Sequence, residues 1–237
     1  LRLLRSLLDA ADDTANRVDD VLDLRPDALL LHVTNFGTDR TSGGAFERPL
    51  LLLSVFDADG LATHWEFFAP DRDAEALARF DALTTEPSAA PHPTAPARSV
   101  ERRVRPNAAT ALAAREDAVL AARDLDALPA LLSDEFDVMD HTTGVAYDGQ
   151  GYLATFRVLL KAEHPRFARE TLASLGESLA LCRESTSASG FVGRTFDVGA
   201  YEKVEIALVE GDARGRHRRR ELFAASRLGD AVVRLYE

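Results

Sequence analysis

The residue with the greatest potential for acid–base chemistry is Asp140, near the end of a predicted strand at 135–141. Phe136, Val138 and Asp140 alternate onto one face of that strand, which would set a carboxyl group beside apolar side chains. Burial of this kind raises a carboxyl pKa and suits the group to proton transfer. The alternative is structural, because an Asp before Thr-Thr-Gly can start a turn by accepting backbone N–H hydrogen bonds. Both interpretations stay open.

The other candidate residues adjoin Asp140 or lie on later strands. His141 follows Asp140 but alternates to the opposite face, so an acid–base dyad competes with a satisfied or exposed histidine. Glu202 is in line with apolar residues and is either a pocket acid or the ion-pair partner of an arginine such as Arg183. With Asp140 and His141 as catalytic candidates, the predicted pocket-lining residues are Phe136, Val138, Tyr147, Tyr152, Arg183, Glu202 and Phe223.

Several classes of function have no motif in this sequence. It has no glycine-rich phosphate loop, zinc-ligand spacing, nucleophile elbow or kinase signature, so we predict no cofactor and no metal. The net charge of -11 argues against a nucleic-acid or anionic-membrane partner. A basic run at 216–220 is predicted to be half solvent-facing and half ion-paired. No apolar run reaches the ~18 residues of a membrane span, and the single Cys182 fits a reducing cytoplasm.

One stretch of the sequence occurs twice. Without gaps, 13 of the 37 positions from 44 to 80 are identical to their counterparts from 199 to 235. The matched positions include Glu66 with Glu221 and Arg79 with Arg234. A period this long is typical of a duplicated domain rather than of a solenoid.

Apolar spacing divides most of the chain into helices and strands. Helices are predicted at 1–11, 73–83, 108–122, 149–162 (capped by Asp148) and from 228, with a short one capped by Asp126. Strands are predicted at 28–34, 45–56, 61–68, 135–141, 168–175, 178–189, 200–210 and 216–223, and the polar stretch 14–24 as a weak edge strand. Proline-rich residues 84–106 predict a linker whose basic end, 98–105, is interpreted as solvated chain.

The second half resembles the nuclear transport factor 2-like superfamily, and within it the SnoaL-like domains. The resemblance is carried by 124–127 (DLDA), 131–134 (LLSD) and 138–141 (VMDH), together with three helices followed by a long antiparallel meander. It implies an α+β fold in which a cone-like curved antiparallel sheet wraps around helices. A complete copy is expected over 107–237 and a partial copy over 1–83, lacking the first helices and first strand, with 84–106 between them.

The resemblance also bears on function. Steroid isomerases of this superfamily carry their catalytic base at the position of Asp140. The position of their oxyanion-stabilising Tyr is occupied here by Glu116 or its neighbours. The position of their second oxyanion donor, an acid on a central strand, falls near Ile206 or Ala207, which are apolar. A base without an oxyanion hole lacks what is usually the largest catalytic contribution. We therefore expect a non-catalytic module of a larger bacterial regulatory protein that binds a small apolar molecule or a partner. The alternative is a SnoaL-like cyclase, isomerase or dehydratase that uses Asp140 as general acid/base.

The apolar run at 50–55 predicts how the chain associates. A strand with no polar face must be covered on both sides, so two sheets are expected to meet face to face, as a pseudo-dimer within the chain or as a homodimer. Residue 1 is Leu rather than Met, so the sequence is expected to be a piece of something longer.

Overall fold

The computed structural model describes residues 11–84, 102–189, 191–192, 197–198 and 200–237. The chain divides into two compact units, Leu1–Arg103 and Val104–Glu237. Most of the helix predicted at 1–11 lies outside the described residues, as does the proline-rich stretch 85–101.

The first unit is an antiparallel meander followed by one helix. Its elements are β1 (Ala11–Arg25), β2 (Ala28–Asp39), β3 (Ala45–Phe56), β4 (Ala62–Phe68) and α1 (Asp73–Leu83), and the sheet order is β1-β2-β3-β4. The stretch predicted as a weak edge strand is therefore a 15-residue edge strand, β1. Gly60 has a φ of 76° in the turn between β3 and β4, a conformation that glycine adopts without steric cost.

Helix α1 covers one face of this sheet. Alternate strand residues point to the same face, so β3 directs Leu51 and Leu53 at the helix. The buried core on this face comprises Leu22, Ala28, Leu30, Leu51, Leu53, Ala76, Leu77 and Phe80.

The described residues of the second unit form three α-helices and a mixed sheet. Its helices are α2 (Ala108–Ala122), α3 (Gly149–Leu159) and α4 (Leu228–Tyr236), with 3₁₀ turns at Leu128–Leu131 and Ala225–Arg227. Its main strands are β5 (Leu132–Asp140), β6 (Val145–Asp148), β7 (Arg166–Leu175), β8 (Leu179–Ala188), β11 (Tyr201–Gly211) and β12 (His217–Ala224). Two short strands, β9 (Phe191–Val192) and β10 (Asp197–Val198), pair separately. The main order is β6-β5-β12-β11-β8-β7.

Two features of this sheet differ from the predicted antiparallel sheet wrapped around helices: one strand pair is parallel, and helices lie on both faces. Strands β5 and β12 are parallel, whereas the other pairs are antiparallel. Ala207 and Val209 of β11 pack in one core with α2 and α3. Ile206 and Leu208 alternate to the other face, and α4 packs against β8, β11 and β12. Helices therefore cover both faces.

Helices α2 and α3 begin at side-chain caps, whereas the cap predicted for the short helix between them is not observed. Asn107 caps α2 in a capping box with Thr110, and Asp148 accepts hydrogen bonds from the first turn of α3. The short helix after α2 is a 3₁₀ turn, and its preceding carboxylate acceptor is Asp124 rather than the predicted Asp126: Asp124 Oδ1 accepts from Ala127 N at 3.2 Å.

The β3–β4 and β11–β12 hairpins have the same register. Leu53 pairs with Glu66 in the first unit, and Leu208 pairs with Glu221 at the matched positions of the second. Both hairpins also show a register irregularity at the end nearest their turn. The sequence repeat thus coincides with matched strand pairing, and duplication of a whole domain stays a prediction.

The basic end of the predicted linker is not free solvated chain where it is described. Arg102 Nη2 binds Asp20 Oδ1 at 2.7 Å, and Arg103 Nη1 binds Asp81 Oδ1 at 2.8 Å. These ion pairs hold the chain against β1 and α1, so that part of the prediction is wrong.

Candidate functional site

Asp140 ends β5 and is bound into the turn that follows. Its Oδ1 accepts hydrogen bonds from Thr142 N at 2.8 Å, Thr142 Oγ1 at 2.6 Å and Thr143 N at 3.3 Å. Burial disfavours its charge, but these hydrogen bonds outweigh burial and lower the pKa of Asp140. The direction is opposite to the raised pKa predicted from the apolar neighbours. The turn geometry matches the structural interpretation of this residue.

His141 faces the other side of β5 and joins a partly exposed cluster. Its Nε2 lies 2.8 Å from Glu221 Oε2, and its ring stacks on Phe223 with centroids 4.4 Å apart. His141, Phe223 and Arg227 are among the residues that line a cavity of about 520 Å³ beside this cluster. Asp140 and His141 therefore have separate sets of partners, as their alternation along the strand predicts.

The interior of the second unit contains a buried charge cluster, which we define as Glu116, Tyr152, Arg169, Glu184 and Arg220. Arg169 Nε donates to Glu184 Oε1 at 2.8 Å, and Arg169 also donates to Glu116. Arg220 donates to Glu184, and its Nη1 lies 3.5 Å from Glu116 Oε2. Tyr152 donates its hydroxyl to Glu116. Two carboxylates and two guanidinium groups thus pair within the cluster, and the partly buried Asp117 also lies 2.9 Å from Arg169 Nη1.

The pKa shifts in this cluster favour an ionised Glu116 and a protonated Tyr152. Burial opposes ionisation of Glu116, but the charges of Arg169 and Arg220 hold its pKa well below the usual range. Burial raises the pKa of Tyr152 well above its usual range, which keeps the phenol protonated as a donor. A general base needs a pKa near the pH at which it works, and the pKa values of Glu116 and Tyr152 are both shifted away from neutrality.

His217 lies at the edge of the charge cluster and is fully buried. Its Nε2 is 3.5 Å from Glu116 Oε2, and neither ring nitrogen makes a hydrogen bond to a described residue. The ring packs against Phe136 with centroids 5.7 Å apart. It belongs to the basic run at 216–220, whose arginines all have acidic partners.

The predicted pocket residues do not form one site. Phe136, Val138 and Tyr152 are buried in the core with α2 and α3. Tyr147 is partly buried against the same core. Arg183 binds Glu170 at 2.8 Å rather than Glu202. The exposed Glu202 shares a strand face with Ile206, away from that core, and Phe223 stacks on His141.

An apolar groove lies on the first unit, on the sheet face opposite α1. We define the groove by Val18, Leu31, Val33, Phe46, Leu52, Trp65 and Phe67, with Thr14, Asn16 and Asn35 as polar lining residues. It encloses about 290 Å³. Trp65 is 49% exposed and Phe67 is 37% exposed. Large aromatic side chains left open to water in a concave surface are typical of a binding site.

The sequence contained a signal for this groove that the prediction did not use. Thr63, Trp65 and Phe67 alternate along β4, and Leu52 on β3 belongs to the same face. The prediction covered the apolar sheet of the first copy with a second sheet, in a pseudo-dimer or a homodimer, and so left no groove there. The predicted pocket was instead assigned to the second copy.

Comparison with known proteins finds similarity over about half of the chain. No family model matches the chain, and no curated protein matches it. Among solved structures it is similar to a steroid delta-isomerase from Pseudomonas aeruginosa, with 22% identity and a TM-score of 0.37, covering 54% of this chain and 90% of the other. A candidate polyketide cyclase from Xanthomonas campestris has 13% identity and a TM-score of 0.40, covering 54% and 96%.

A third similar structure is an NTF2-like protein of unknown function in nutrient uptake from Rhodospirillum rubrum. It has 20% identity and a TM-score of 0.34, covering 48% of this chain and 96% of the other. These TM-scores are below 0.5, so the fold assignment rests on the element order and strand pairing of residues 104–237. No described helix has the length and apolar character to cross a membrane, and no described group of three or more His, Cys, Asp or Glu side chains has a metal-binding arrangement. The observed order of elements, with a mainly antiparallel sheet and three helices, is an α+β fold of the kind that the resemblance to the nuclear transport factor 2-like superfamily implies.

Proposed function

We propose that this chain is a non-catalytic binding module whose apolar groove, on the first unit, holds a small apolar molecule. The observation that carries the proposal is the open aromatic pair Trp65 and Phe67 beside buried Leu31 and Val33. Transfer of such surface from water to a ligand is favourable by ~25 cal/mol per Å². The polar groups Asn16 and Asn35 offer hydrogen bonds that would orient the ligand.

The size of the groove limits the class of ligand. A cavity of about 290 Å³ lies at the lower end of small-molecule sites, which span roughly 300–1,000 Å³. A compound of one or two fused rings, or a short acyl chain, fits this volume. Larger polycyclic compounds would extend out of the groove into solvent.

The residues of the second unit support a structural role better than a catalytic one. Asp140 is engaged by three hydrogen bonds from its own turn, and its lowered pKa makes it a weak base at neutral pH. Glu116 is engaged by Arg169 and Tyr152. We accordingly assign the second unit a scaffolding role within the module. We also propose that the module belongs to a larger bacterial regulatory protein, because the predicted tandem arrangement resembles the C-terminal parts of such proteins.

The binding experiment uses the only tryptophan of the chain as its reporter. Titration with the neutral probe N-phenylnaphthylamine should quench Trp65 emission by energy transfer, and a two-ring aromatic competitor should reverse the quenching. Phe67→Ser should weaken binding by about tenfold, because a large part of the aromatic contact is lost. Val233→Ser, at a 61% exposed apolar residue of α4 outside the groove, is the matched control and should bind as the wild type does.

The same compounds decide between a binder and an enzyme. Incubation with the wild type followed by mass spectrometry should return each compound unchanged. Turnover that Asp140→Asn abolishes while probe binding persists would replace the proposed module with an acid–base enzyme. Equal probe affinity for wild type and Phe67→Ser would show that the groove is not the site.

A further inference from the structure

Strand β4 forms one outer edge of the first unit's sheet. It follows β3 at the end of the order β1-β2-β3-β4. The strand at the matched position of the second unit, β12, is paired on both sides, by β11 and by β5. Within the described part of the chain, no strand lies beside the free edge of β4. Its outward backbone N–H and C=O groups are therefore available for pairing.

The edge of β4 lacks the features that usually prevent strand addition. Its sequence, Ala-Thr-His-Trp-Glu-Phe-Phe, contains no proline and no lysine. Its only carboxylate, Glu66, lies on the α1 side, where Arg79 Nη2 binds it at 2.7 Å. On the groove side the strand presents Thr63, Trp65 and Phe67, all exposed. A partner that pairs with the edge of β4 must therefore supply both backbone hydrogen bonds and apolar side chains, and a second β-strand does both.

The chemistry of β4 is self-complementary. In an antiparallel pair of two β4 strands centred on Trp65, His64 and Glu66, which lie 2.8 Å apart within each strand, face Glu66 and His64 of the second copy on the α1 side. On the groove side, each Trp65 faces its symmetry mate and Thr63 faces Phe67. Cross-strand aromatic pairs stabilise such a ladder, and no pair of like charges opposes it, because Glu66 is already bound by Arg79 of its own copy. The arrangement is closed by a two-fold axis, as in most homodimers.

We propose that two copies of this chain dimerise through antiparallel pairing of their β4 strands, which joins their two four-stranded sheets into one continuous sheet. This interface differs from the face-to-face contact of sheets predicted from the sequence. Because Trp65 lines the groove and lies on the two-fold axis, the grooves of the two copies meet there. The proposal does not depend on what the groove binds.

Sedimentation velocity over a concentration series tests the association of the full chain. The wild type should form a dimer, and Trp65→Lys should weaken the dimer Kd by at least about tenfold, because lysine at an edge opposes strand pairing. Leu61→Lys is the matched control: Leu61 is 66% exposed and lies just before β4, so this variant should dimerise as the wild type does. Circular dichroism checks that both variants stay folded.

Cysteine cross-linking tests the register independently. In a Cys182→Ser background, Trp65→Cys should oxidise to a covalent dimer, because directly opposed residues of an antiparallel pair have Cα atoms ~4.5–5.5 Å apart, within disulfide range. Leu61→Cys in the same background should cross-link far less. A wild type that stays monomeric at concentrations near 1 mM would overturn the proposal. A dimer indifferent to Trp65→Lys, or equal cross-linking of both cysteine variants, would likewise overturn it in favour of another interface.

Discussion

Arg234 donates from Nε to both carboxylate oxygens of Glu221 at 3.0 Å, and Arg79 binds Glu66 in the same way at 2.9 and 3.0 Å. Each pair joins the second strand of a matched hairpin to the helix that follows it. The two pairs differ in burial, because the Glu221 side chain is almost fully buried and that of Glu66 is partly exposed.

This difference predicts unequal costs for the same substitution. Glu221→Gln should reduce the free energy of unfolding of the second unit by about 1–3 kcal/mol, because a buried charged hydrogen bond is lost. Glu66→Gln should cost the first unit less than about 1 kcal/mol, because the ion pair there is partly solvated. Urea unfolding monitored by Trp65 emission reports on the first unit, and alkylation of the single cysteine, Cys182, reports on the second.

The pH dependence of the Glu221 effect follows from its pKa. Burial disfavours its charge, but hydrogen bonds from Arg234 and His141 outweigh burial and lower its pKa below the ordinary 4.5. The stabilisation is therefore complete above the unfolded pKa and is lost as the pH falls through the lower folded pKa. The stability difference between wild type and Glu221→Gln should shrink in that acidic window. Equal costs for the two Gln variants at neutral pH would contradict the role assigned to burial.

The buried charge cluster predicts a larger effect at Glu116. Glu116→Gln should reduce stability by about 3–5 kcal/mol, because Arg169 and Arg220 would keep their buried charges with one carboxylate fewer. The matched control is Glu135→Gln, at an exposed carboxylate of β5 outside the cluster. This variant should change stability by less than about 0.5 kcal/mol, because the side chain is solvated. Comparable losses for both variants in thermal unfolding would argue against the cluster as a stabilising unit.

Most of the fold was predictable from local patterns in the sequence. The apolar spacing predicted 73–83 and 108–122 as helices with the observed bounds, and the meander of the second unit within a few residues. The parallel β5–β12 pair was missed because it joins segments about 80 residues apart, and the spacing of apolar residues within a segment does not indicate which distant segment it pairs with. The position of α4 on the far face was missed because its apolar stripe does not tell which sheet face it covers.

The candidate site was less predictable for a related reason. Alternation along β5 correctly separated Asp140 from His141. It could not show that hydrogen bonds from Thr142 would outweigh burial, since both effects act on the same carboxylate. The charge cluster joins α2, α3, β7, β8 and β12, so residues as far apart as Glu116 and Arg220 meet only in the folded chain.

The turn role of Asp140 predicts a graded response to substitution. Asp140→Asn keeps an oxygen acceptor for Thr142 and Thr143 and should cost less than about 1 kcal/mol. Asp140→Ala removes the acceptor and should cost about 1–2 kcal/mol, as does the loss of a helix N-cap. The lowered pKa of Asp140 means that the difference between wild type and Asp140→Asn should decline as acid protonates the carboxylate. Equal thermal stability of the Asn and Ala variants would contradict this role.

The last prediction concerns local stability in the two units. The first unit's sheet has a helix on one face among the described residues, whereas the second unit's sheet has helices on both. Fewer buried contacts allow easier local opening, so amides of β2 and β3 should exchange with deuterium faster than those of β8 and β11. Measurement by mass spectrometry at high dilution avoids protection from association.

Cys182 provides an internal check on that exchange experiment. It lies on β8, and burial raises its pKa to about 12, so the closed state offers almost no reactive thiolate. Alkylation should therefore proceed through opening of β8 and follow the exchange of β8 amides across a urea series. Faster alkylation than exchange would show that the thiol is reached without opening the strand. Equal protection of β2 and β8 at high dilution would show that the first unit's sheet is covered on its groove face.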